Sequence, residues 1–300
     1  MVNNSLVNDY IAGAVGGCAG LVVGHPFDTT KVQLQTQAAH NRYSGTWDCI
    51  RNVHRHGWTK GFFRGMSWPV LSYGAVNSVF FGVYGNSLSL IQRYSTHTGD
   101  KPHYWQIYLA GCMGGTAQLV LACPVDLIKV VLQSQIPHGS IANPSPAYKG
   151  PLQVAVRVLK DRGLTGLYRG LSIQAARDLP ASGTYFTVFV WMNRWCESYL
   201  PSVPMSLFHF LSGGVAGVLS WMLILPLDVI KSRYQADREV GRYRSVLHCA
   251  SLSYQEEGVT VFFRGVLAMS VRAFPVNAVT LGVYGYCIKF LNRSSCVTDM

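Results

Sequence analysis

The sequence predicts an all-α membrane protein with six transmembrane helices in three pseudo-threefold repeats of roughly 100 residues, each with a short amphipathic helix. Three observations support this fold class. Charged residues make up only 13% of the 300 residues, against about 25% in a typical soluble protein. Long stretches of the chain carry no charge. A short charged motif also occurs three times at nearly equal spacing.

Uncharged stretches of a length that can cross a bilayer lie at regular places in the chain. Four of them contain 18 to 30 residues: 10–27, 65–92, 102–125 and 198–227. A transmembrane helix needs about 20 residues, so these four can span. Two shorter stretches, 179–193 and 273–288, can span only if Arg177, Asp178 and Arg272 lie within the helix and face a polar interior. We therefore predict six spans, two in each repeat.

The alternative is a large soluble protein with buried helices. The glycine spacing argues against it, because glycines four residues apart let helices approach closely in lipid, where apolar burial contributes little. Such pairs are Gly13/Gly17, Gly16/Gly20, Gly111/Gly115 and Gly213/Gly217. The net charge of +11 is also typical of nucleic-acid binding. However, the chain has no basic run, so anionic lipid and an anionic or zwitterionic solute explain this charge better.

Two motifs recur in the same order and define the repeats. The first is Pro-x-Asp-x-x-Lys, at 26–31, 124–129 and 226–231. Its prolines are 98 and 102 residues apart. The second motif is aromatic-Arg-Gly, at 63–65, 168–170 and 263–265, with spacings of 105 and 95 residues. Together they divide the chain into repeats at 1–98, 99–202 and 203–300, which form one transmembrane bundle.

Each repeat contains a long helix, a short surface helix and a second long helix. The first long helices are predicted at 8–36, 104–136 and 206–236, and each contains the proline of its motif. A proline inside a helix removes a hydrogen-bond donor and kinks the helix, which turns the following Asp and Lys toward a common axis. The short amphipathic helices are predicted at 46–56, 151–161 and 246–256. The second long helices follow the aromatic-Arg-Gly motifs.

Three helices that each carry an acid and a base can close a ring, with the Asp of one repeat paired to the Lys of the next. Such a ring is typical of a gate rather than of a catalytic site. No nucleophile–base pair, metal-ligand spacing or phosphate-binding loop is present in the sequence. The eight cysteines form no Cys-x-x-Cys pair, so we expect no disulfide and no metal. The sequence therefore predicts neither an enzyme nor a cofactor.

The triplicated Pro-x-Asp-x-x-Lys motif with its downstream aromatic-Arg-Gly resembles the mitochondrial carrier family of the inner membrane, solute carrier family 25. The resemblance covers nearly the whole chain. It implies a monomer of six tilted helices around a central solute site, with the short helices on the matrix side. It also implies alternating access, in which a matrix-side gate and a cytoplasmic-side gate close in turn.

The resemblance assigns roles to the repeated residues. The matrix gate would pair Asp28 with Lys129, Asp126 with Lys231 and Asp228 with Lys31. Brace glutamines that hydrogen-bond beneath those pairs would be Gln35, Gln133 and Gln235. Cardiolipin would bind at the helix N-termini and the aromatic-Arg-Gly motifs, through Gly45, Gly150, Arg64, Gly65, Arg169, Gly170, Arg264 and Gly265. Ser245 replaces the corresponding glycine of the third repeat.

The cytoplasmic side departs from the family pattern. Family members carry an aromatic-acid-x-x-base phrase on each second long helix. The corresponding positions here hold no charge: Tyr84, Gly85 and Leu88; Phe189, Val190 and Asn193; Tyr284, Gly285 and Ile288. That gate would close by aromatic and apolar packing alone. We therefore expect a weaker closure on this side, which permits uniport beside antiport.

In this family the solute contacts the second long helices, seven residues after the glycine of aromatic-Arg-Gly. These positions are Ser72, Arg177 and Arg272, with Asp178 beside them. The phrases around 177 and 272, and Trp221 before the third proline, are similar to those of the carnitine/acylcarnitine and basic amino acid carriers. An arginine would hold a carboxylate, and Asp178 would meet an amine or quaternary ammonium, helped by an aromatic face.

The resemblance also narrows the solute. Ornithine-type carriers have an acid where this chain has Val76, which argues against free ornithine or arginine. A carnitine-like zwitterion, or a methylated or basic amino acid, fits better. An alternative for the site is that Arg177 and Asp178 satisfy each other, so that Arg272 alone anchors the solute. Alternatives for the function are an anionic metabolite or nucleotide as cargo, and a non-transporting scaffold or receptor on the carrier fold.

Overall fold

The computed structural model describes residues 2–37, 43–95, 102–135, 148–199, 205–237 and 242–298. Nine α helices account for most of this part of the chain. They are α1 (Val2–Thr36), α2 (Thr46–Arg55), α3 (Ser67–Tyr94), α4 (Tyr104–Gln133), α5 (Pro151–Leu167), α6 (Leu171–Tyr199), α7 (Met205–Ala236), α8 (Val246–Glu257) and α9 (Val266–Thr298). A π-helical turn at Trp58–Phe62 and a 3-10 turn at Val259–Phe263 precede α3 and α9.

The six long helices form a closed ring. Helices α1, α3, α4, α6, α7 and α9 contact one another in this order, and α9 packs back on α1. The first long helices of the repeats, α1, α4 and α7, also contact one another pairwise. They therefore converge at one end of the bundle, which we call the charged end because the Asp and Lys of each motif lie there. The described residues contain no β strand, and the predicted all-α fold class is confirmed.

Four helical segments are long and apolar enough to cross a membrane: Tyr10–Thr36, Tyr104–Gln133, Leu211–Ala236 and Val259–Leu291. Helices α3 and α6 do not reach the same mean hydropathy within the described residues. In α6 the cause includes Arg177 and Asp178, which lie in the first third of the helix. Both helices nevertheless pack between two apolar neighbours of the ring. The charged pair of α6 is largely buried and therefore lies inside the bundle rather than in lipid.

The helix bounds agree with the predicted ones within a few residues, except at two places. Helix α1 extends back to Val2. Helix α5 continues to Leu167 across a break at Gly163, whose φ of 66° lies in the left-handed region that favours glycine. The helices α1, α4 and α7 run through Pro26, Pro124 and Pro226 without ending. The predicted repeat boundaries at 98/99 and 202/203 lie outside the described residues.

Glycines let α1 and α9 approach closely. A side chain at Gly16 would collide with the backbone carbonyl of Thr280, and one at Gly20 would collide with the Thr280 hydroxyl. In α4 and α6, Gly111 lies directly against Gly183. Small residues at such positions increase van der Waals contact between helices in lipid. The first and last repeats are therefore in close contact along α1 and α9, where these glycines leave no room for a side chain.

Each short helix packs on the charged end of the long helix before it. In the first repeat Leu34 of α1 packs against Cys49 and Val53 of α2. In the third repeat Ile230 of α7 packs against Cys249 of α8. Burial raises the pKa of the Cys49 thiol to about 12 and that of Cys249 to about 11. Both thiols are therefore neutral at physiological pH and act as small apolar packing groups.

We call the contacts between repeats at the charged end, apart from those made by the Asp and Lys of each motif, the seams. In the seam of repeats 1 and 2, all the hydrogen-bond acceptors that we describe are uncharged. Gln33 donates to the carbonyl of Gln133, and Arg64 Nη2 donates to Gln135 Oε1 at 2.9 Å. The seam of repeats 2 and 3 contains one ion pair, with 3.0 Å between Arg169 Nη2 and Asp237 Oδ2. Neither seam contains a buried network of several charges among the described residues.

The seam of repeats 3 and 1 is supported by a buried charge network that lies within repeat 3. Arg233 is 4% exposed, and its Nε donates to the Gln35 carbonyl at 2.9 Å. Its Nη2 lies 2.7 Å from Glu257 Oε1, and Glu257 also pairs with Arg264. A buried carboxylate shared by two guanidinium groups is strongly destabilising to break, because a lone buried charge remains. Among the side chains of this network, Arg233 alone contacts repeat 1, which no peptide segment connects directly to repeat 3.

Candidate functional site

Three ion pairs form a ring at the charged end. Each lysine contacts the aspartate of a neighbouring repeat, and the distance from Nζ to the carboxylate oxygen is 2.6 Å in all three. The pairs are Lys129–Asp28, Lys231–Asp126 and Lys31–Asp228. We call these six residues the charged ring. Charges inside a membrane protein are costly to leave without a partner, so this arrangement stabilises the contact of α1, α4 and α7.

Two arginines from the second long helices extend the ring. Arg177 Nη1 lies 2.9 Å from Asp228 Oδ1, and its Nη2 lies 3.5 Å from Asp126 Oδ2. Arg272 Nε lies 2.8 Å from Asp28 Oδ1. Every aspartate of the ring is therefore shared between a lysine and an arginine. Sequence reasoning assigned both arginines to the solute and missed these contacts with the ring.

Asp178 and Trp221 complete the cluster around Arg177. Arg177 Nε donates to Asp178 Oδ1 at 2.6 Å, and among the described residues Arg177 is the only hydrogen-bond donor to Asp178. The Trp221 ring lies 4.8 Å from Lys31 Nζ and 5.8 Å from the guanidinium carbon of Arg177. Cations over an indole face are attracted by its quadrupole. Trp221 therefore covers the ring on the side of the bundle interior.

The three predicted brace glutamines have different partners. Gln35 Nε2 donates to Asp228 Oδ2 at 2.9 Å, so this side chain contacts the ring. Gln133 Nε2 instead donates to the Thr29 hydroxyl at 2.9 Å, and Gln235 Nε2 donates to the Arg169 carbonyl at 3.3 Å. A different glutamine, Gln174 of α6, donates to Asp126 at 3.0 Å. Gln174 lies three residues before Arg177, so both side chains are on the helix face that points to the ring. This spacing is a sequence signal that a search for the repeated motifs does not include.

Two adjacent cavities lie inside the bundle, and they share Asp126, Arg177 and Trp221. The ring cavity, of about 160 Å³, is lined by the six residues of the charged ring together with Arg177 and Arg272. It has five cationic side chains and three acidic ones. The aromatic cavity, of about 310 Å³, is lined by Asp126, Asp178, Tyr185, Phe186, Trp221 and Arg177, among others. Its charges are two carboxylates and one guanidinium.

Aromatic residues of α3 and α6 pack together at a distance from the ring. Phe186 stacks on Phe80, with 5.4 Å between ring centroids, and on Tyr84, with 5.0 Å. Tyr185 stacks on Phe189 at 6.3 Å. Tyr84 and Phe189 are two of the uncharged positions that the sequence analysis assigned to the opposite gate. Phe186 and Tyr185 also line the aromatic cavity, which composition alone did not indicate.

The remaining predicted solute positions lie apart from the ring contacts. The Ser72 hydroxyl donates to the carbonyl of Trp68 in its own helix at 2.9 Å. Val76 is half-buried on α3. Neither residue is among those that line the two cavities. The first repeat therefore contributes an uncharged position where the other two repeats contribute Arg177 and Arg272.

The predicted lipid residues divide into two groups. The arginines of the aromatic-Arg-Gly motifs bind protein groups. Arg64 donates to Gln135, Arg169 pairs with Asp237 and Arg264 pairs with Glu257. The glycines that follow them have left-handed φ: Gly65 at 80°, Gly170 at 82° and Gly265 at 86°. Gly45 and Gly150 are the N-caps of α2 and α5, and neither helix start has a side-chain cap. In the third repeat Ser245 accepts a hydrogen bond from His248 N.

The chain is similar to known carriers along its whole length. The family profile described as mitochondrial carrier protein matches residues 2–95, 100–200 and 204–295. Solute carrier family 25 member 45 of Mus musculus is 43% identical, over 94% of this chain and 98% of the relative. Solute carrier family 25 member 48 of Bos taurus is 38% identical, over 99% and 100%. The mitochondrial basic amino acids transporter of Bos taurus is 39% identical, over 94% and 91%.

These matches explain the three repeats, the ring of six helices and the absence of a predicted catalytic site. The family profile falls in three segments of about the repeat length, and together they cover nearly all of the chain. Members of this family are solute carriers rather than enzymes. The chain belongs to the mitochondrial carrier family.

Proposed function

We propose that this protein is a carrier of the mitochondrial inner membrane that moves a zwitterion with one carboxylate and one cationic group. The observation that carries the proposal is the opposite charge balance of the two adjacent cavities. The ring cavity has an excess of cations, and the aromatic cavity has an excess of carboxylates. A zwitterion lying across both would place its carboxylate near Arg272 and Arg177 and its cationic group near Asp178.

The relatives support a solute with a cationic group. One of them is named as a basic amino acids transporter, and it is 39% identical to this chain. Val76 stands where carriers of free ornithine would supply a further acid, so the solute is expected to have a single cationic group. Carnitine-like compounds and related betaines belong to this class, whereas a basic amino acid carries two cationic groups.

The charged ring supplies the matrix gate in this proposal. The arginines that would hold the solute carboxylate are the same ones that contact Asp28, Asp126 and Asp228. When the carboxylate of the solute binds one of these arginines, that arginine no longer contacts its ring aspartate. The binding energy of the solute therefore offsets part of the cost of opening the gate, as a two-state transport cycle requires.

Cardiolipin is the lipid partner that we propose. The exposed first turns of α2 and α5, with Gly45 and Gly150 as N-caps, offer backbone N–H groups to phosphate oxygens. The arginines of the aromatic-Arg-Gly motifs would act indirectly, by fixing the loops through Gln135, Asp237 and Glu257.

The experiment that tests the solute class uses three probes of matched shape in liposomes that contain the purified protein. γ-Butyrobetaine carries both charges, butyrate carries only the carboxylate, and butyltrimethylammonium carries only the cation. We expect uptake of the first alone. In Asp178→Asn its apparent affinity should fall about tenfold to hundredfold, since a hydrogen bond or ion pair to a charged group is lost.

Each other outcome points to a different class. Uptake of butyrate or of a nucleotide in preference to the zwitterion would favour an anion carrier, which the cation excess of the ring cavity also suits. Absence of uptake for all of a broad panel of zwitterions, anions and nucleotides would favour a scaffold or receptor. An Asp178→Asn variant with unchanged γ-butyrobetaine uptake would contradict the assignment of Asp178 to the cationic group.

A further inference from the structure

Helix α6 presents a pair of aromatic side chains to the aromatic cavity. Tyr185 and Phe186 both line it, together with Trp221 of α7. The two rings of α6 are 5.4 Å apart and nearly perpendicular. Asp178 lies seven residues before Tyr185, so these two residues lie on the same side of α6 about two turns apart. The cavity thus combines the carboxylates of Asp126 and Asp178 and the guanidinium of Arg177 with three aromatic walls.

Such a cavity distinguishes between cationic groups by their hydration. A primary ammonium keeps three hydrogen-bond donors and needs acceptors for all of them. Both carboxylates of this cavity are already bound to cationic side chains, Asp178 to Arg177 and Asp126 to Lys231 and Arg177. The remaining side-chain acceptors in its lining are uncharged oxygens of Gln118, Ser182, Tyr185 and Ser220. A trimethylammonium group has no donor, is weakly hydrated, and is attracted to aromatic faces. Aromatic walls therefore favour the methylated group over the primary one.

Among the three aromatic walls, Phe186 is held in place by packing on the side away from the cavity. It stacks on Phe80 and Tyr84 of α3, at interplanar angles of 19° and 28°. A ring held between two others keeps its orientation toward the cavity at little entropic cost. Its counterpart in the first repeat, Phe81, is 55% exposed and does not line the cavity. The third repeat has Leu281 at this position.

We infer that Phe186 is a specificity-determining residue, which selects solutes with an N-methylated cationic group over those with a primary ammonium. This inference rests on the proposed function, since it concerns the cationic end of the same solute. It adds a residue outside the charged cluster to the solute site. It also links that site to the packing of α3 against α6.

The test compares two probes with the same carbon chain, γ-aminobutyrate and γ-butyrobetaine, as competitors of uptake in liposomes. We expect the wild-type protein to prefer γ-butyrobetaine. Phe186→Leu keeps the apolar volume and removes the aromatic face. Its half-saturation concentration for γ-butyrobetaine should rise about fivefold to thirtyfold, which is the range of a desolvated cation–π contact. The value for γ-aminobutyrate should stay nearly constant.

Phe81→Leu is the matched control, because it makes the same change at the equivalent position of the same aromatic cluster. It should leave the preference between the two probes unchanged. Phe186→Met is a second variant in case the first does not fold, and thermal stability checks both. An equal loss for the two probes, no loss for either, or no wild-type preference would overturn the inference. If the wild-type protein binds neither probe, the proposed function fails first, and this inference fails with it.

Discussion

Arg177 contacts three carboxylates at once, those of Asp126, Asp178 and Asp228. Its side chain is 11% exposed. A guanidinium in this position is stabilised only as long as its acids stay in place, because an isolated buried charge is very costly. Any movement of α7 away from α4 must therefore separate Arg177 from at least one partner. Because Arg177 also lines both cavities, it couples the opening of the charged ring to the binding of a solute in them.

Arg272 differs from Arg177 because it contacts a single ring residue, Asp28. We predict that Arg272→Ala abolishes uptake of carboxylated solutes, with a loss of about hundredfold or more, since a charged hydrogen bond to the solute is removed and Asp28 loses a partner. Uptake of γ-butyrobetaine into liposomes measures this. Ser72→Ala at the equivalent position of the first repeat is the control, and it should retain uptake. Undiminished transport by Arg272→Ala would refute its role as an anchor.

The sequence places these charged residues in register on the helices, but it does not determine how far each side chain reaches. Gln133 and Gln235 occupy the same register as Gln35, yet they hydrogen-bond to Thr29 and to the Arg169 carbonyl. Their partners depend on the rotation of each helix and on which acceptors the neighbouring repeat presents. The spacing of a motif determines neither the helix rotation nor the acceptors of the neighbouring repeat. For the same reason the contact of Arg272 with Asp28 could not be derived from spacing.

At the scale of helices, most of the fold could be predicted. Uncharged stretches and repeated motifs gave the long helices within a few residues, because both signals are local. The uncharged stretches were shortest for α6 and α9, since Arg177, Asp178 and Arg272 lie within these helices. The predicted end of the second short helix at 161 lies just before the break at Gly163 in α5, and the helical turn beyond this break was missed. A glycine near the end of a helical pattern has several structural meanings, so it does not show whether a further turn follows.

Arg233 joins α7 to the end of α1 through the Gln35 carbonyl, and Glu257 of α8 holds both Arg233 and Arg264. We predict that Glu257→Gln lowers the free energy of unfolding by about 3 kcal/mol, because two guanidinium groups lose their shared carboxylate. Thermal unfolding of the purified protein measures the change. The adjacent Glu256 pairs with Arg242 on the surface, with side chains 29% and 39% exposed.

Glu256→Gln is therefore the matched control for this prediction. An exposed ion pair contributes about 0 to 1 kcal/mol, so its loss should have little effect. Equal destabilisation by the two substitutions would mean that the buried network contributes no more than a surface pair. It would also remove the main difference between the seam of repeats 3 and 1 and the other two seams.

At the scale of the molecule, the two cavities give the bundle an electrostatic polarity along its length. Cationic side chains dominate near the charged end, and carboxylates dominate in the aromatic cavity. A solute with separated charges is turned by this field as it enters, so that its carboxylate leads. The field is strongest where water is excluded, since screening there is least. Solutes with a single charge meet a favourable region and an unfavourable one in succession.

The unequal seams also determine which parts of the molecule move together. Repeats 1 and 3 share the close approach of α1 and α9 as well as the contact of Arg233, which Glu257 holds in place, with the Gln35 carbonyl. We therefore expect the carrier to behave as two bodies rather than three, with repeats 3 and 1 as one unit and repeat 2 as the other. Spin labels at the equivalent exposed positions Arg55, Lys160 and Gln255 can measure this.

When solute opens the charged end, the distance between labels at 55 and 255 should stay constant, and both distances to 160 should increase. Labels are introduced after the native cysteines have been replaced, and wild-type uptake is the check on that background. An equal increase of all three distances would show a symmetric, iris-like opening instead. A scaffold with three equal seams has no preferred hinge axis. Unequal seams, such as those of this protein, can provide a single one. Pseudo-symmetry in the sequence thus need not produce symmetry in the motion.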